Sequence, residues 1–240
     1  MACIESQYIP YEAQERLGRG KAIIFAPHPD DEILGCCGAI MQHLKDGDPL
    51  KVVIVTDGAF GRGEGAKDYA LKRRQETLDA GKVLGYEDLL FWDLPDRGLI
   101  FDDELVRRVG LEIDAMGAEW VYAPSWWEIH PDHSALSRAV TQAVKEKGNG
   151  LKLVLFEVGV PLHANVLLDI TEIFEVKRRA IGSFKSQLEI QPYDRHILAL
   201  NEFRSYTLPS SVLAAEAYRI VTPSEISDRL EIPWMSSALK

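Results

Sequence analysis

Between residues 21 and 58 the chain changes its hydrophobic period twice. KAIIFAP (21–27) is a near-continuous apolar run, EILGCCGAIMQHLKDG (32–47) spaces its apolar residues, and LKVVIVTDG (50–58) is continuous again. In the middle segment Ile33, Cys37, Ile40, Met41 and Leu44 fall on one helical stripe, whereas unbroken β-branched runs suit strands buried on both faces. The three segments predict a βαβ unit.

The alternation continues. A polar, Gly-rich loop (AFGRGEGAKD) leads to a predicted helix from about Tyr69 to Leu84, and LLFWDL follows as a strand. A helix from about Asp102 to Met116, the strand EWVYAPS, a helix after HPDH and the strand LKLVLFEV complete the regular part. This order predicts an α/β fold, a Rossmann-like, mostly parallel sheet with helices on both faces. Beyond Pro161 the rhythm loosens into a strand at NVLLDI, a helix through EIFEVKRRAIGSFKSQ, another near 194–204 and the apolar run LAAEAYRIV. No repeat, low-complexity stretch or linker divides the chain, so a single domain over 1–240 is expected, with 1–19 as an N-terminal extension and 221–240 as a tail. The last ten residues, EIPWMSSALK, suit packing on the core or on a neighbouring subunit, and a homo-oligomer is compatible with them.

Charge narrows the partners. The formal net charge is -10 over 240 residues, which repels a phosphate backbone, so nucleic acid is not an expected partner. No apolar run is long enough for a membrane span, and the N-terminal residues lack the basic-then-apolar order of a secretory signal. Cys36 and Cys37 are adjacent and Cys3 is remote, so no disulfide framework is suggested and a reducing cytoplasm fits.

Two short segments carry the candidate chemistry: APHPDDE at 26–32 and HPDH at 130–133. Each follows a predicted strand, and in an open parallel sheet the loops at the carboxyl ends of strands converge on one crevice. A catalytic zinc takes three protein ligands and leaves a position for water. His28 and Asp31 suit two of these, a histidine of the second segment suits the third, and Asp30 lies beside them as a base. Helix capping competes as an explanation, since Asp30 and Asp31, and likewise Asp132 and Ser134, stand where helices begin. Capping accounts for the acids but not for His28, His130 and His133 beside them.

With both segments present, the chain resembles the PIG-L/LmbE-like family of zinc-dependent N-acetylglucosaminyl deacetylases, marked by (P/A)HPDDE and, much later, HPDH. TDG at 56–58, Arg73 and Glu76 ahead of VLG, LPDRGL at 94–99, KRRAIGSFKSQ and AAEAY extend the likeness over roughly residues 20–220. The resemblance implies zinc, or another divalent ion such as Fe2+, on His28, Asp31 and His133. It further implies Asp30 as general base and acid, His130 as oxyanion partner, and Asp132 orienting a ligand histidine. The implied substrate is an N-acetylated amino sugar or its glycoconjugate, with acetate and a free amine as products. Arg73 or its neighbour Arg74, Asp96, Arg97, Trp127 and His163 are candidate substrate contacts, and Asn165 accompanies His163. His43 and His196 receive no role. Deacylation of another N-acyl group and a non-haem iron oxygenase built on the same two histidines and one carboxylate are the competing readings. A Gly-rich dinucleotide loop is absent after the first strand, which argues against a Rossmann cofactor binder.

Overall fold

The structure, a computed structural model, describes residues 9–148 and 150–228; Cys3 and the 231–240 segment lie outside them. Its centre is β1 (Ala22–Ala26), with every residue buried. Side chains alternate across a strand, so Ala22, Ile24 and Ala26 enter one core layer and Ile23 and Phe25 the other. The same two-sided burial recurs in β2 (Leu50–Thr56), β4 (Trp120–Pro124) and β5 (Lys152–Phe156). That is why these segments read as unbroken apolar runs.

Together with β3 (Leu89–Leu94), β6 (Val166–Asp169) and β7 (Ala215–Val221) they form one seven-stranded sheet in the order β3-β2-β1-β4-β5-β7-β6. All neighbours pair in parallel except β7, which runs antiparallel to both β5 and β6. One face carries α1 (Asp31–Asp46), α2 (Ala66–Leu84), α5 (Phe174–Ile181) and α7 (Tyr193–Arg204); the other carries α3 (Asp103–Met116) and α4 (Pro131–Lys147). Cys36 and Cys37 are free and buried in the α1 layer as small apolar groups.

Three boundaries depart from the pattern-based expectation. α2 starts at Ala66, three residues early, because a 3-10 turn at Gly63–Gly65 feeds it. The helix expected through EIFEVKRRAIGSFKSQ breaks into α5 and α6 (Lys185–Leu188). At the break, Ser186 donates its backbone N–H (2.8 Å) and hydroxyl (2.6 Å) to Glu76 of α2, so a tertiary carboxylate replaces the helical acceptor. Finally, α8 (Pro223–Asp228) was not anticipated.

A buried ion pair fixes α1 from behind. Lys177 Nζ lies 2.7 Å from Glu216 Oε1 and donates to the Leu34 carbonyl at 2.8 Å. Glu216 Oε2 accepts from the Gly38 N–H at 2.8 Å and from the Tyr218 hydroxyl. A Cβ at position 38 would stand 2.7 Å from that oxygen, so only glycine allows the helix this approach. The charges are matched and hydrogen-bonded, as burial requires.

Candidate active site

β1 and β4 are neighbours, yet the chain leaves β1 towards α1 on one face and β4 towards α4 on the other. This is the point where strand order reverses, and it opens a crevice at the carboxyl ends. His28 and Asp30 occupy the first loop, Asp31 the first turn of α1, Glu128 and His130 the second loop, and Asp132 and His133 the first turn of α4. The crevice is a cleft of about 370 Å³, near the small end of the roughly 300–1,000 Å³ usual for ligand sites.

Three atoms converge at its floor. His28 Nδ1 lies 3.1 Å from Asp31 Oδ2 and 3.2 Å from His133 Nε2, and the latter two are 3.2 Å apart. Such an even triangle is close to the face of a tetrahedron with bonds of about 2.0 Å, whose edges are roughly 3.3 Å. Two nitrogens and a carboxylate oxygen also match the donor types zinc takes. His130 extends the cluster, with ring nitrogens of His28, His130 and His133 within 4.8 Å of one another. The residues present therefore fit a divalent metal.

A second layer holds these donors. His28 Nε2 faces Asp132 Oδ2 at 3.1 Å and Asp96 Oδ1 at 3.3 Å. Asp132 in turn accepts from the Arg97 and Leu99 amides (2.6 and 3.1 Å), which ties the loop after β3 to the site. Burial alone would depress the His28 imidazole, but hydrogen bonds to Asp132, Asp31 and Asp96 raise it well above its ordinary value. The His133 imidazole behaves likewise: burial opposes its charge, Asp31 and then Glu128 favour it, and it rises to about 9. Burial also opposes the Asp31 carboxylate, yet the His133 charge and the histidine hydrogen bonds hold it far below the usual range. The floor thus draws positive charge, as a cation site should.

Asp30 stands apart from the triangle. Its backbone takes φ 141 and ψ -30, outside the conformations L residues prefer, and its side chain makes no helix cap. Glu32 Oε2 accepts the Asp30 N–H at 3.1 Å, while Ile33 and Leu34 donate to the Asp30 carbonyl, both at 2.9 Å. Arg73 Nη2 sits 2.9 Å from Asp30 Oδ2 and also donates to the Pro29 carbonyl at 2.5 Å. Burial pushes the Asp30 carboxyl up to about 6 against the pull of Arg73. Glu32, more deeply enclosed and beside the Asp30 charge, is pushed to about 8.

His130, not Asp132, caps α4: its Nδ1 accepts from the Asp132 N–H at 3.3 Å. That bond assigns the remaining hydrogen to Nε2. Burial and the two neighbouring imidazoles lower its pKa, which favours a neutral ring.

Residues 23–144, just over half of the chain, match the family described as GlcNAc-PI de-N-acetylase (PIG-L). The chain belongs to the PIG-L family. Its relatives include the Bacillus subtilis probable N-acetyl-alpha-D-glucosaminyl L-malate deacetylase 2, 31% identical over 183 residues that cover 70% of this chain and 83% of that protein. Among solved structures, N,N'-diacetylchitobiose deacetylase from Pyrococcus horikoshii superposes with a TM-score of 0.76 at 22% identity, covering 86% of this chain and 85% of that one. The 4-carboxy-2-hydroxymuconate hydratase GalB from Pseudomonas putida has a TM-score of 0.70 at 21% identity over 86% of this chain and 97% of its own. Likeness at this level establishes the PIG-L fold and not the reaction.

Within this PIG-L framework the cleft gathers some of the expected substrate contacts and leaves out others. Arg73, Asp96 and Arg97 line it. Arg74 does not: consecutive helical residues point about 100° apart, and while Arg73 joins the buried stripe of α2, Arg74 is only half-buried, 3.2 Å from the exposed Asp93 and stacked on Phe91. Trp127 also turns away, its indole set against Trp126 and the exposed His163 ring. The His163 carbonyl accepts from Arg219, and Asn165 brackets Ile220 at the sheet edge. His43 is a core histidine between Asp48 and Tyr122.

Several lining residues were not anticipated. Phe60, Arg62 and Tyr69 come from the Gly-rich stretch and the start of α2, and Gln187, Ile190 and Tyr193 from the irregular C-terminal part. Arg62 stacks on Tyr69 at 3.8 Å and Arg97 on Phe60 at 4.8 Å, so the mouth presents two guanidinium groups on aromatic supports. Only the crossing of distant loops assembles this rim.

Proposed function

We propose that the protein is a metal-dependent amide hydrolase that removes the N-acetyl group from an N-acetylglucosamine-type amino sugar or its conjugate. The observation that carries this reading is a donor triangle of His28, Asp31 and His133 with the carboxylate of Asp30 beside it, engaged by Arg73 instead of by the triangle. Two of the similar proteins described above are named as deacetylases of N-acetylglucosamine compounds, which supports this substrate class.

In this reading His28, Asp31 and His133 hold zinc or a similar divalent ion. Bound there, such an ion would supply Lewis acidity to the acetyl carbonyl and a water activated near neutral pH. Asp30 accepts the proton of the attacking water, with Arg73 fixing the orientation of its carboxylate. The same carboxyl then returns the proton to the sugar nitrogen as the C–N bond breaks, so acetate and a free amine leave. His130, neutral and carrying its hydrogen on Nε2, donates to the oxygen that becomes negative when the carbonyl carbon turns tetrahedral. Asp132 and Asp96 keep His28 in the tautomer that leaves Nδ1 free for the metal. Arg62 and Arg97 at the mouth receive the remainder of the substrate.

The decisive test is acetate release from a panel of N-acetylated amino sugars, with and without a chelator, and with oxygen uptake followed in parallel. Chelator-sensitive acetate release with no oxygen consumption is expected. Oxygen uptake without acetate would overturn the reading in favour of an iron oxygenase.

A further inference from the structure

One buried carboxylate in the cleft has no part in the chemistry above. Glu128 lies in the loop after β4, and its side chain is 1% exposed. Its Oε1 accepts from three successive backbone N–H groups, Val158 at 2.8 Å, Gly159 at 3.0 Å and Val160 at 3.3 Å, and its Oε2 lies 3.2 Å from the Gly159 nitrogen. These amides belong to the loop after β5, and Val158 and Gly159 form part of the cleft wall. The same Oε2 lies 3.3 Å from His133 Nδ1, a buried nitrogen that meets no hydrogen-bond geometry with any partner. A Cβ on residue 159 would stand 3.0 Å from Oε2, so the bare backbone of Gly159 admits the carboxylate at this distance.

A buried carboxylate must be satisfied, and the three amides achieve that from one side. What is left on the other side is a single charged oxygen facing the ring nitrogen opposite the His133 donor atom. A carboxylate in that place sets the ring's orientation and raises its basicity towards a metal. The far half of the same loop is anchored separately, where Glu157 accepts from the Leu162 N–H and pairs with Arg204. Glu128 is therefore the group that ties residues 158–160 to the metal-binding floor.

We infer that Glu128 is a positioning residue that joins the loop 158–160, whose Val158 and Gly159 line the cleft, to His133, so that metal affinity and the order of that loop depend on one carboxylate. The inference rests on the metal-hydrolase reading and extends it to how the floor and the wall communicate. Glu128→Gln keeps a carbonyl oxygen for the three amides and removes the charge facing His133. Its zinc affinity, measured by competition with a chromogenic chelator, is expected to fall about 10–100-fold. Amide exchange at 158–160 and the melting temperature of the metal-free protein should stay near wild type. Glu128→Ala should weaken zinc equally and also speed exchange at 158–160 by about tenfold or more, because the acceptor itself is gone. Gly159→Ala keeps every charge but presses a methyl group on Oε2, and should weaken zinc binding on its own.

Wild-type zinc affinity in Glu128→Gln, or unchanged 158–160 exchange in Glu128→Ala, would overturn the coupling. If Glu128→Gln does not fold, the Gly159→Ala zinc affinity decides, and a wild-type value there overturns the coupling as well. Failure of the wild-type protein to take up zinc would instead refute the metal-hydrolase reading and remove the basis of this one.

Discussion

Replacing Asp30 with asparagine separates catalysis from stability at one atom. The side chain keeps its shape and an oxygen for Arg73, but loses its charge and its proton. Burial raises the folded carboxyl to about 6, against about 3.9 for an unperturbed aspartate. Ionised Asp30 therefore costs stability, and the sign follows from the direction of the shift. Well below about pH 4 the group is protonated in both folded and unfolded chains and the cost is absent; it grows between about 4 and 6 and is constant above. At 1.36 kcal/mol for each tenfold, the full cost is about 3 kcal/mol at pH 7.5 and about 1 kcal/mol at pH 4.5. Asp30→Asn should thus be more stable than wild type at pH 7.5, by about 6–12 °C in melting temperature for a chain of this size, with a smaller advantage at pH 4.5. The comparison is made with chelator present, since a bound cation would stabilise the carboxylate. Acetate release should meanwhile fall about 10²–10⁴-fold, the range for a lost general base, with zinc affinity retained. An Asp30→Asn protein that is less stable at pH 7.5, or whose advantage shrinks as pH rises, would refute the desolvation argument. Retention of more than a tenth of the rate would remove Asp30 from proton transfer.

Other outcomes follow from the same geometry. Arg73→Ala should cut activity by at least about tenfold and destabilise the fold, while Arg74→Ala should change neither stability by more than about 0.5 kcal/mol nor the rate, since its charge partner Asp93 is exposed; equal effects would erase the distinction between them. Lys177→Ala leaves Glu216 charged and buried, and denaturant titration should show a loss of about 3–5 kcal/mol. A loss under about 1 kcal/mol would mean water reaches that pair. Zinc at a hundredfold excess over its dissociation constant should stabilise the protein by about 2.7 kcal/mol, and His133→Ala should abolish most of this shift in a thermal melt. Arg97→Ala should raise KM for an active substrate with kcat nearly unchanged; a fall in kcat alone would place Arg97 at the reacting atoms instead of the rim.

How far the sequence was legible depended on the range of the forces involved. The strands β1, β2, β4 and β5 and the helices α1, α3 and α4 follow from local periodicity, because each is buried in the way its own pattern dictates. The C-terminal part was less readable, since the break between α5 and α6 is decided by Glu76, more than a hundred residues away in sequence. Among the substrate contacts, helix geometry allowed only one of Arg73 and Arg74 to face inward, and the burial of α2 chose Arg73. Trp127 and His163 looked suited to a sugar site by composition, but they satisfy one another outside the cleft.

By itself the sequence determined the α/β alternation and the presence of two metal-type clusters at strand ends, because hydrophobic period and residue spacing are local properties. Tertiary structure alone decided which atoms meet. The crossover between β1 and β4 brings His28 Nδ1 to 3.2 Å from His133 Nε2 across 105 positions, the turn into α1 forces Asp30 to φ 141, and the loop after β5 lays three amides on Glu128. These contacts depend on packing between distant segments, and packing is set by the whole core rather than by any window of the chain.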